Sequence, residues 1–192
     1  MEIDAILWRR LDTAGHDACR LVTDDGARRL EGAAVFEYEG VPAYFAYDVD
    51  CDEEWRTREG FIRGWLGARR FDFRIARTQD AVWTLNGRVV PGLDGCVDLD
   101  LEFTPATNLF QLRRIALEVG QAADLAVAWL DVHVGAFDVL QQRYERRGAE
   151  VYWYEAPRFG YFALLQVSAV GFVERYPNLW EAEARSKGRA VV

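Results

Sequence analysis

Alternation of apolar and polar residues along much of the chain is the feature that most constrains its fold. In residues 71–76, apolar side chains fall on one face and charged ones on the other. Residues 34–39 and 97–103 alternate in the same way, and residues 151–155 place two tyrosines on one face with Val151 and Trp153 on the other. Successive side chains of a β-strand point to opposite faces, so this pattern predicts a mainly β protein. Residues 125–134 begin apolar on both faces, which predicts a strand covered on both sides.

Glycine-containing turns separate these segments. Asp25-Gly26 and Asn86-Gly87 are typical of two-residue hairpin turns, whose central residues need positive φ. Strand-like segments recur at roughly ten-residue intervals from residue 17 to 103 and again from 123 to 175, which predicts a sandwich, roll or barrel.

Few segments have a helical pattern. Residues 136–147 fit either an amphipathic helix or an edge strand. The tail, 177–187, begins with Pro177 and predicts a short terminal helix.

Length and charge narrow the class of protein. The 192 residues are half hydrophobic and contain neither a linker nor a fixed-period repeat, which predicts a single domain over residues 1–192. A net charge of −8 argues against nucleic-acid binding. The acidic N-terminus is unlike a secretory signal, and no apolar segment approaches the ~20 residues of a membrane span. We therefore expect a cytoplasmic protein without integral membrane association, either monomer or homodimer.

Common catalytic and metal-binding motifs are missing from the sequence. Residues 48–59 place acids as a calcium-binding EF-hand loop does, but Glu53 occupies the position of the required glycine. His16 and His133 lack partners at ligand spacing, and the three cysteines form no C-x-x-C pair, which favours reduced thiols. These patterns predict no metal site and no cofactor, and make catalysis the less favoured hypothesis.

One acidic strand leaves an enzymatic alternative open. Asp98, Asp100 and Glu102 fall on one face of the predicted strand. Two carboxyl groups can catalyse glycoside hydrolysis as acid and base, so a hydrolase or isomerase using Asp98 and Asp100 is one hypothesis. The same residues can instead face water or pair with Arg113 and Arg114.

Aromatic residues are abundant, at 14% of the chain. Tryptophan and tyrosine combine an apolar body with a polar tip, which suits the wall of a pocket for an amphipathic ligand or a sugar ring. For any single aromatic residue, packing in the core is the competing interpretation.

Three stretches recur in the order and spacing of a known family. They are DEEWRTR at 52–58; LDGCVDLDL at 93–101 with TPATN at 104–108 and Arg113-Arg114; and QRY at 142–144 with YWY at 152–154, Phe162 and VERYP at 173–177. Together they resemble the bacterial putative glycolipid-binding family, from about Trp8 to Trp180. One departure is Leu109 to Leu112, which lacks the proline that tends to follow TPxTN in the family.

The resemblance implies one long antiparallel sheet rolled on itself, a spiral β-roll. It implies a glycolipid or similar amphipathic ligand and brings no catalytic residues. We therefore expect a noncatalytic binding protein with its ligand in a cavity of the roll. The candidate ligand-binding residues are Trp55, Arg58, Trp83, Asp98, Asp100, Asn108, Arg113, Tyr144, Tyr152 and Tyr154.

Overall fold

A computed structural model describes residues 2–24 and 26–186. Within them fifteen strands and one α-helix follow one another along the chain. They are β1 (Glu2–Arg10), β2 (Gly15–Asp24), β3 (Ala27–Tyr38), β4 (Val41–Cys51), β5 (Thr57–Leu66), β6 (Arg69–Arg77), β7 (Trp83–Leu85), β8 (Arg88–Val89), β9 (Leu99–Leu101), α1 (Asn108–Ile115), β10 (Ala122–Asp131), β11 (Ala136–Arg146), β12 (Val151–Ala156), β13 (Tyr161–Val167), β14 (Val173–Tyr176) and β15 (Trp180–Ser186).

All the described strands belong to a single sheet. Its order is β8-β7-β6-β5-β4-β3-β2-β1-β15-β14-β13-β12-β11-β10-β9. Two series of hairpins therefore run outward from the centre, where β1 pairs with β15. Neighbouring strands are antiparallel, apart from β9 and β10, which are parallel. The mainly antiparallel β prediction is confirmed.

Two-residue turns set the register of several hairpins. Asn86 and Gly87 have φ of 52° and 77° between β7 and β8, as the sequence predicted. Asp24 pairs with Ala27 across the β2–β3 turn, although Asp25 of that turn lies outside the described residues.

The sheet rolls up because its far edge folds back over its first half. The Thr57 amide donates to Val97 O at 3.1 Å, and the Leu99 amide donates to Thr57 Oγ1 at 3.0 Å. A Cβ on Gly60 would lie 2.8 Å from Leu99 Cδ2, so this close approach requires glycine. Phe103 then packs inside the roll, 5.1 Å from the ring of Phe45. The core is the interior of this roll.

Strand β10 is covered on both faces where the sequence predicted it. Val127, Ala128, Trp129 and Leu130 are all buried. Within the sheet, β10 lies between its parallel partner β9 and its antiparallel partner β11, and the ring of Phe159 packs against Trp129.

Two sequence predictions need correction. Residues 136–147 form neither a helix nor an edge strand, because β11 lies inside the sheet between β10 and β12. The predicted terminal helix is the strand β15. Its backbone pairs with both β1 and β14 near the centre of the sheet, and a helix would leave both neighbours without partners. Lys187, the last residue of the predicted helix, lies outside the described residues.

Candidate functional site

A cavity of about 310 Å³ lies on the inner face of the half-sheet β10–β15. Its aromatic lining comes from Trp129, Tyr154, Phe159, Tyr161, Tyr176 and Trp180. Its polar lining comes from Arg10, Asp100, Glu102, Thr104 and Asn108. The volume corresponds to about ten water molecules, which reaches the lower end of the range for small-molecule sites.

Asp100 supplies the most deeply placed charged group of the cavity, being only 9% exposed. Its Oδ2 accepts hydrogen bonds from Gln142 Nε2 at 2.6 Å and Gln111 Nε2 at 3.3 Å. Its Oδ1 accepts none from the described residues and is open to the cavity. Burial raises the pKa of Asp100, although the two glutamine amides lower it. The open oxygen is an acceptor ready for a ligand donor.

A chain of hydrogen bonds orients the second polar group of the cavity, Asn108. Its Nδ2 donates to Tyr144 Oη at 2.7 Å, and that hydroxyl donates to Gln111 Oε1 at 2.8 Å. Gln111 in turn donates to Asp100, so helix α1 and strands β9 and β11 form one network. No hydrogen bond to Asn108 Oδ1 is formed by the described residues, and Asn108, like Asp100, lines the cavity. Two acceptors are thus held in place.

The outer part of the cavity is aromatic. The Trp129 ring lies 5.4 Å from that of Phe159, which is 54% exposed at the rim. Arg10, the cation of this lining, is paired with Asp12 at 2.7 Å and stacks over Trp180. An anionic ligand would therefore find no unpaired cation among these lining residues.

Glu102 adds a second carboxyl group at the cavity. Burial and the neighbouring Asp131 raise its pKa to about 8, although its side chain is 29% exposed and His133 Nε2 lies 3.5 Å from Oε1. The protonated form of a carboxyl group both donates and accepts hydrogen bonds, which suits a hydroxyl group.

Asp98 does not face the cavity, although it lies two residues from Asp100. The guanidinium group of Arg114 donates to both of its carboxylate oxygens, with Nη2 2.6 Å from Oδ2 and Nε 2.9 Å from Oδ1. Asp98 is fully buried in this pair. The predicted pairing of Asp98 with Arg114 is therefore present, whereas Asp100 bonds glutamines. The pair also occupies one of the two carboxyl groups that a hydrolase using Asp98 and Asp100 requires.

The structure spreads the other predicted site residues over several places. Asp100, Asn108 and Tyr154 line the cavity, and Tyr144 lies directly behind Asn108. Trp55 packs outside it, with the guanidinium groups of Arg28 and Arg113 at 4.3 and 5.1 Å from its ring.

The remaining three candidates also lie away from the cavity. Trp83 is a core residue whose Nε1 donates to Cys96 O at 2.9 Å. Tyr152 borders a separate cleft that also contains Arg113. Arg58 is exposed on β5.

The site predicted from the sequence did not include several of the residues that line the cavity. Arg10 and Phe159 carried no recognisable pattern, and Trp129 and Trp180 could not be told from core tryptophans. Glu102 continued the alternation of Asp98 and Asp100, which was the one signal available for it.

A further buried carboxyl group, that of Asp17, lies behind Thr104 of the cavity lining. Asp17 is fully buried, and its Oδ2 accepts hydrogen bonds from Thr104 Oγ1 and from Tyr47 Oη, the latter at 2.9 Å. Thr104 itself lines the cavity. Asp17 Oδ1 has no hydrogen-bond partner among the described residues. Burial raises the pKa of Asp17 to about 6, although both hydroxyl groups lower it.

We expect Asp17 to make the stability of the protein depend on pH. The unfolded chain ionises this group near its ordinary pKa of 3.8, and the folded protein ionises it near 6. The free energy of unfolding should therefore fall by about 3 kcal/mol as the pH rises through this window. Urea unfolding of the wild type and of Asp17→Asn across the window measures it. A difference between the two proteins that does not vary with pH would contradict the assignment.

Two further observations concern membrane spans and metal sites in the described residues. No helix among them is long and apolar enough to cross a bilayer. Nor does any group of three or more His, Cys, Asp or Glu residues in 2–24 and 26–186 come close enough to hold a metal ion.

Comparison with known proteins agrees with the overall fold. The crystal structure of a DUF1089 family protein from Pseudomonas aeruginosa is similar, with a TM-score of 0.74 and 26% sequence identity. The match covers 86% of this chain and 91% of that one. No curated protein matches the sequence. A family model described as putative glycolipid-binding matches residues 5–182. Because that match spans nearly the whole rolled sheet and the cavity within it, the chain belongs to the putative glycolipid-binding family.

Proposed function

We propose that this protein binds, without chemically altering it, an amphipathic molecule with an uncharged, hydroxyl-bearing head group such as that of a glycolipid. The head group occupies the cavity and donates hydrogen bonds to Asp100 Oδ1 and Asn108 Oδ1. The observation that carries the proposal is the open oxygen of Asp100, a buried carboxyl group at an aromatic-lined cavity.

The character of the lining supports this choice of ligand. Hydroxyl groups can donate hydrogen bonds to the two acceptors, and a sugar ring has apolar faces that pack on aromatic rings such as Trp129. The match to a family described as putative glycolipid-binding supports the same class. An anionic head group is disfavoured, because Arg10 is already paired and Asp100 would repel it.

A titration with n-octyl glucoside below its micellar concentration tests the proposal. We expect binding, and a loss of affinity of about 10- to 100-fold in Asp100→Asn. The asparagine has to keep its oxygen toward Gln111 and Gln142, so its amide nitrogen, a donor, replaces the acceptor in the cavity. Isothermal titration calorimetry gives the affinities, and urea unfolding reports whether the variant is folded.

Two controls make this titration specific. Asp124→Asn removes an exposed carboxylate that pairs with Arg143 outside the cavity, and should leave the affinity unchanged. Octyl phosphate, with the same tail and an anionic head, should bind more weakly than octyl glucoside. Equal binding of both amphiphiles to wild type and Asp100→Asn would show that only the tail is recognised, and would refute the proposal.

A further inference from the structure

The tip of the β12–β13 hairpin has an unusually apolar outer surface. Phe159, Phe162 and Leu164 are 54%, 67% and 47% exposed. Leu164 lies opposite Trp153 in the sheet, and the rings of Trp153 and Phe162 are 5.7 Å apart. We call Trp153, Phe159, Phe162 and Leu164 the hairpin patch. Clustered exposed apolar side chains are typical of an interaction surface.

The hairpin patch lies next to the mouth of the cavity. Phe159 itself forms part of the rim and packs against Trp129 inside it. Tyr161, between Phe159 and Phe162 in sequence, lines both the cavity and an outer cleft of about 400 Å³ bordered by Trp153 and Phe162. Phe159 and Tyr161 therefore connect the cavity to the patch, whose other members lie on the outer face of the hairpin.

The size of the cavity limits how much of an amphiphile it can hold. Its 310 Å³ is the space of about ten water molecules. A sugar head group fills most of that volume, so a long acyl tail has to lie outside the cavity. Tyr161 connects the cavity to the apolar outer cleft beside the hairpin patch, which offers such a tail an apolar surface.

The charges around the hairpin patch favour an uncharged partner surface. Arg158 pairs with Asp138 at 2.8 Å, and Arg147 pairs with Glu145 at 3.1 Å. Glu155 accepts a hydrogen bond from Trp153 Nε1 at 2.6 Å. With these basic residues paired and a net charge of −8, attraction to anionic lipids is weak.

We propose that the hairpin patch docks on the surface of an uncharged lipid bilayer. Phe159, Phe162 and Leu164 enter the head-group layer, and the cavity takes up the head of a lipid whose tail remains in the bilayer. Aromatic and apolar side chains favour this boundary, because it lets them bury apolar surface without entering the centre of the bilayer. The role of this docking in ligand uptake rests on the proposed function, whereas docking on a bilayer can be measured in the absence of any ligand.

Sedimentation of the full-length protein with phosphatidylcholine vesicles tests the docking. We expect the wild type to bind, and Phe162→Glu to lower the partition coefficient at least tenfold, because a carboxylate replaces the most exposed ring of the patch. Val89→Glu is the matched control: Val89 is 65% exposed on β8, at the other end of the sheet, and its substitution should leave the partition unchanged. High salt should not weaken binding.

The outcomes separate docking from ligand binding. Phe162→Glu should still bind octyl glucoside, and Asp100→Asn should still bind vesicles. No binding to phosphatidylcholine vesicles, binding only to anionic vesicles, or equal loss in Val89→Glu would overturn the docking proposal. It would also be overturned if the wild type formed a dimer in analytical ultracentrifugation that Phe162→Glu abolishes, with no binding to vesicles, because a second copy would then cover the patch.

Discussion

Replacing Arg114 with methionine is expected to lower the free energy of unfolding by about 3–5 kcal/mol. The methionine keeps an apolar stem but removes all three hydrogen bonds to Asp98, which is fully buried. A buried carboxylate without its partner is far less stable than the same group in water. Urea unfolding at pH 7 measures the loss.

The pair Arg143–Asp124 gives a matched control, because it also joins an arginine to an aspartate but is exposed. Arg143→Met should cost about 1 kcal/mol or less. The double variant Asp98→Asn with Arg114→Met should recover much of the loss, since no charge is then left buried. A loss in Arg114→Met no larger than that of Arg143→Met would contradict the assigned role of the pair.

Replacing Trp8 with alanine should destabilise the protein by about 3–5 kcal/mol. Trp8 is fully buried on β1, and its ring packs edge-on against Phe172 at 5.6 Å. Its Nε1 donates to Val173 O at 2.6 Å, so one side chain of the central strand holds the start of β14. Truncation leaves both a void and an unsatisfied carbonyl group. Thermal or urea unfolding measures the effect.

Trp8→Phe separates the two contributions. It retains a six-membered ring but loses the indole donor and the volume of the second ring, so a loss of about 1–3 kcal/mol is expected, smaller than that of Trp8→Ala. Trp65→Ala is the control for tryptophan removal, because Trp65 is 40% exposed on the outside of β5. It should cost about 1 kcal/mol or less. Equal losses in Trp8→Ala and Trp65→Ala would contradict the structural account.

Local patterns in the sequence predicted the strands well where one face is buried. Phe71 and Phe73 alternate with Asp72, and that segment lies in β6 as predicted. The prediction was wrong for β15, because Leu179, Trp180 and Ala184 also fit a helix pattern. What decides its conformation is pairing with β1 and β14, and β1 lies almost the whole chain away in sequence.

The cavity was predictable only in part for a similar reason. Asp100, Asn108 and Tyr154 belong to the family motifs and line it. Trp129 and Arg10 join them because β10 pairs with β9 in parallel and β1 lies beside β15, and neither arrangement follows from spacing along the chain. Trp83 and Tyr144 satisfied the same aromatic criterion, yet both are core residues. Exposure to a cavity depends on the roll of the whole sheet.

A crystal structure of the protein soaked with n-octyl glucoside tests the central claim most directly. The account predicts the sugar ring in the cavity, with one hydroxyl oxygen within about 3 Å of Asp100 Oδ1 and the alkyl chain leaving past Phe159. An empty cavity at saturating ligand, or a ligand seated only in the outer cleft beside Trp153, would contradict it.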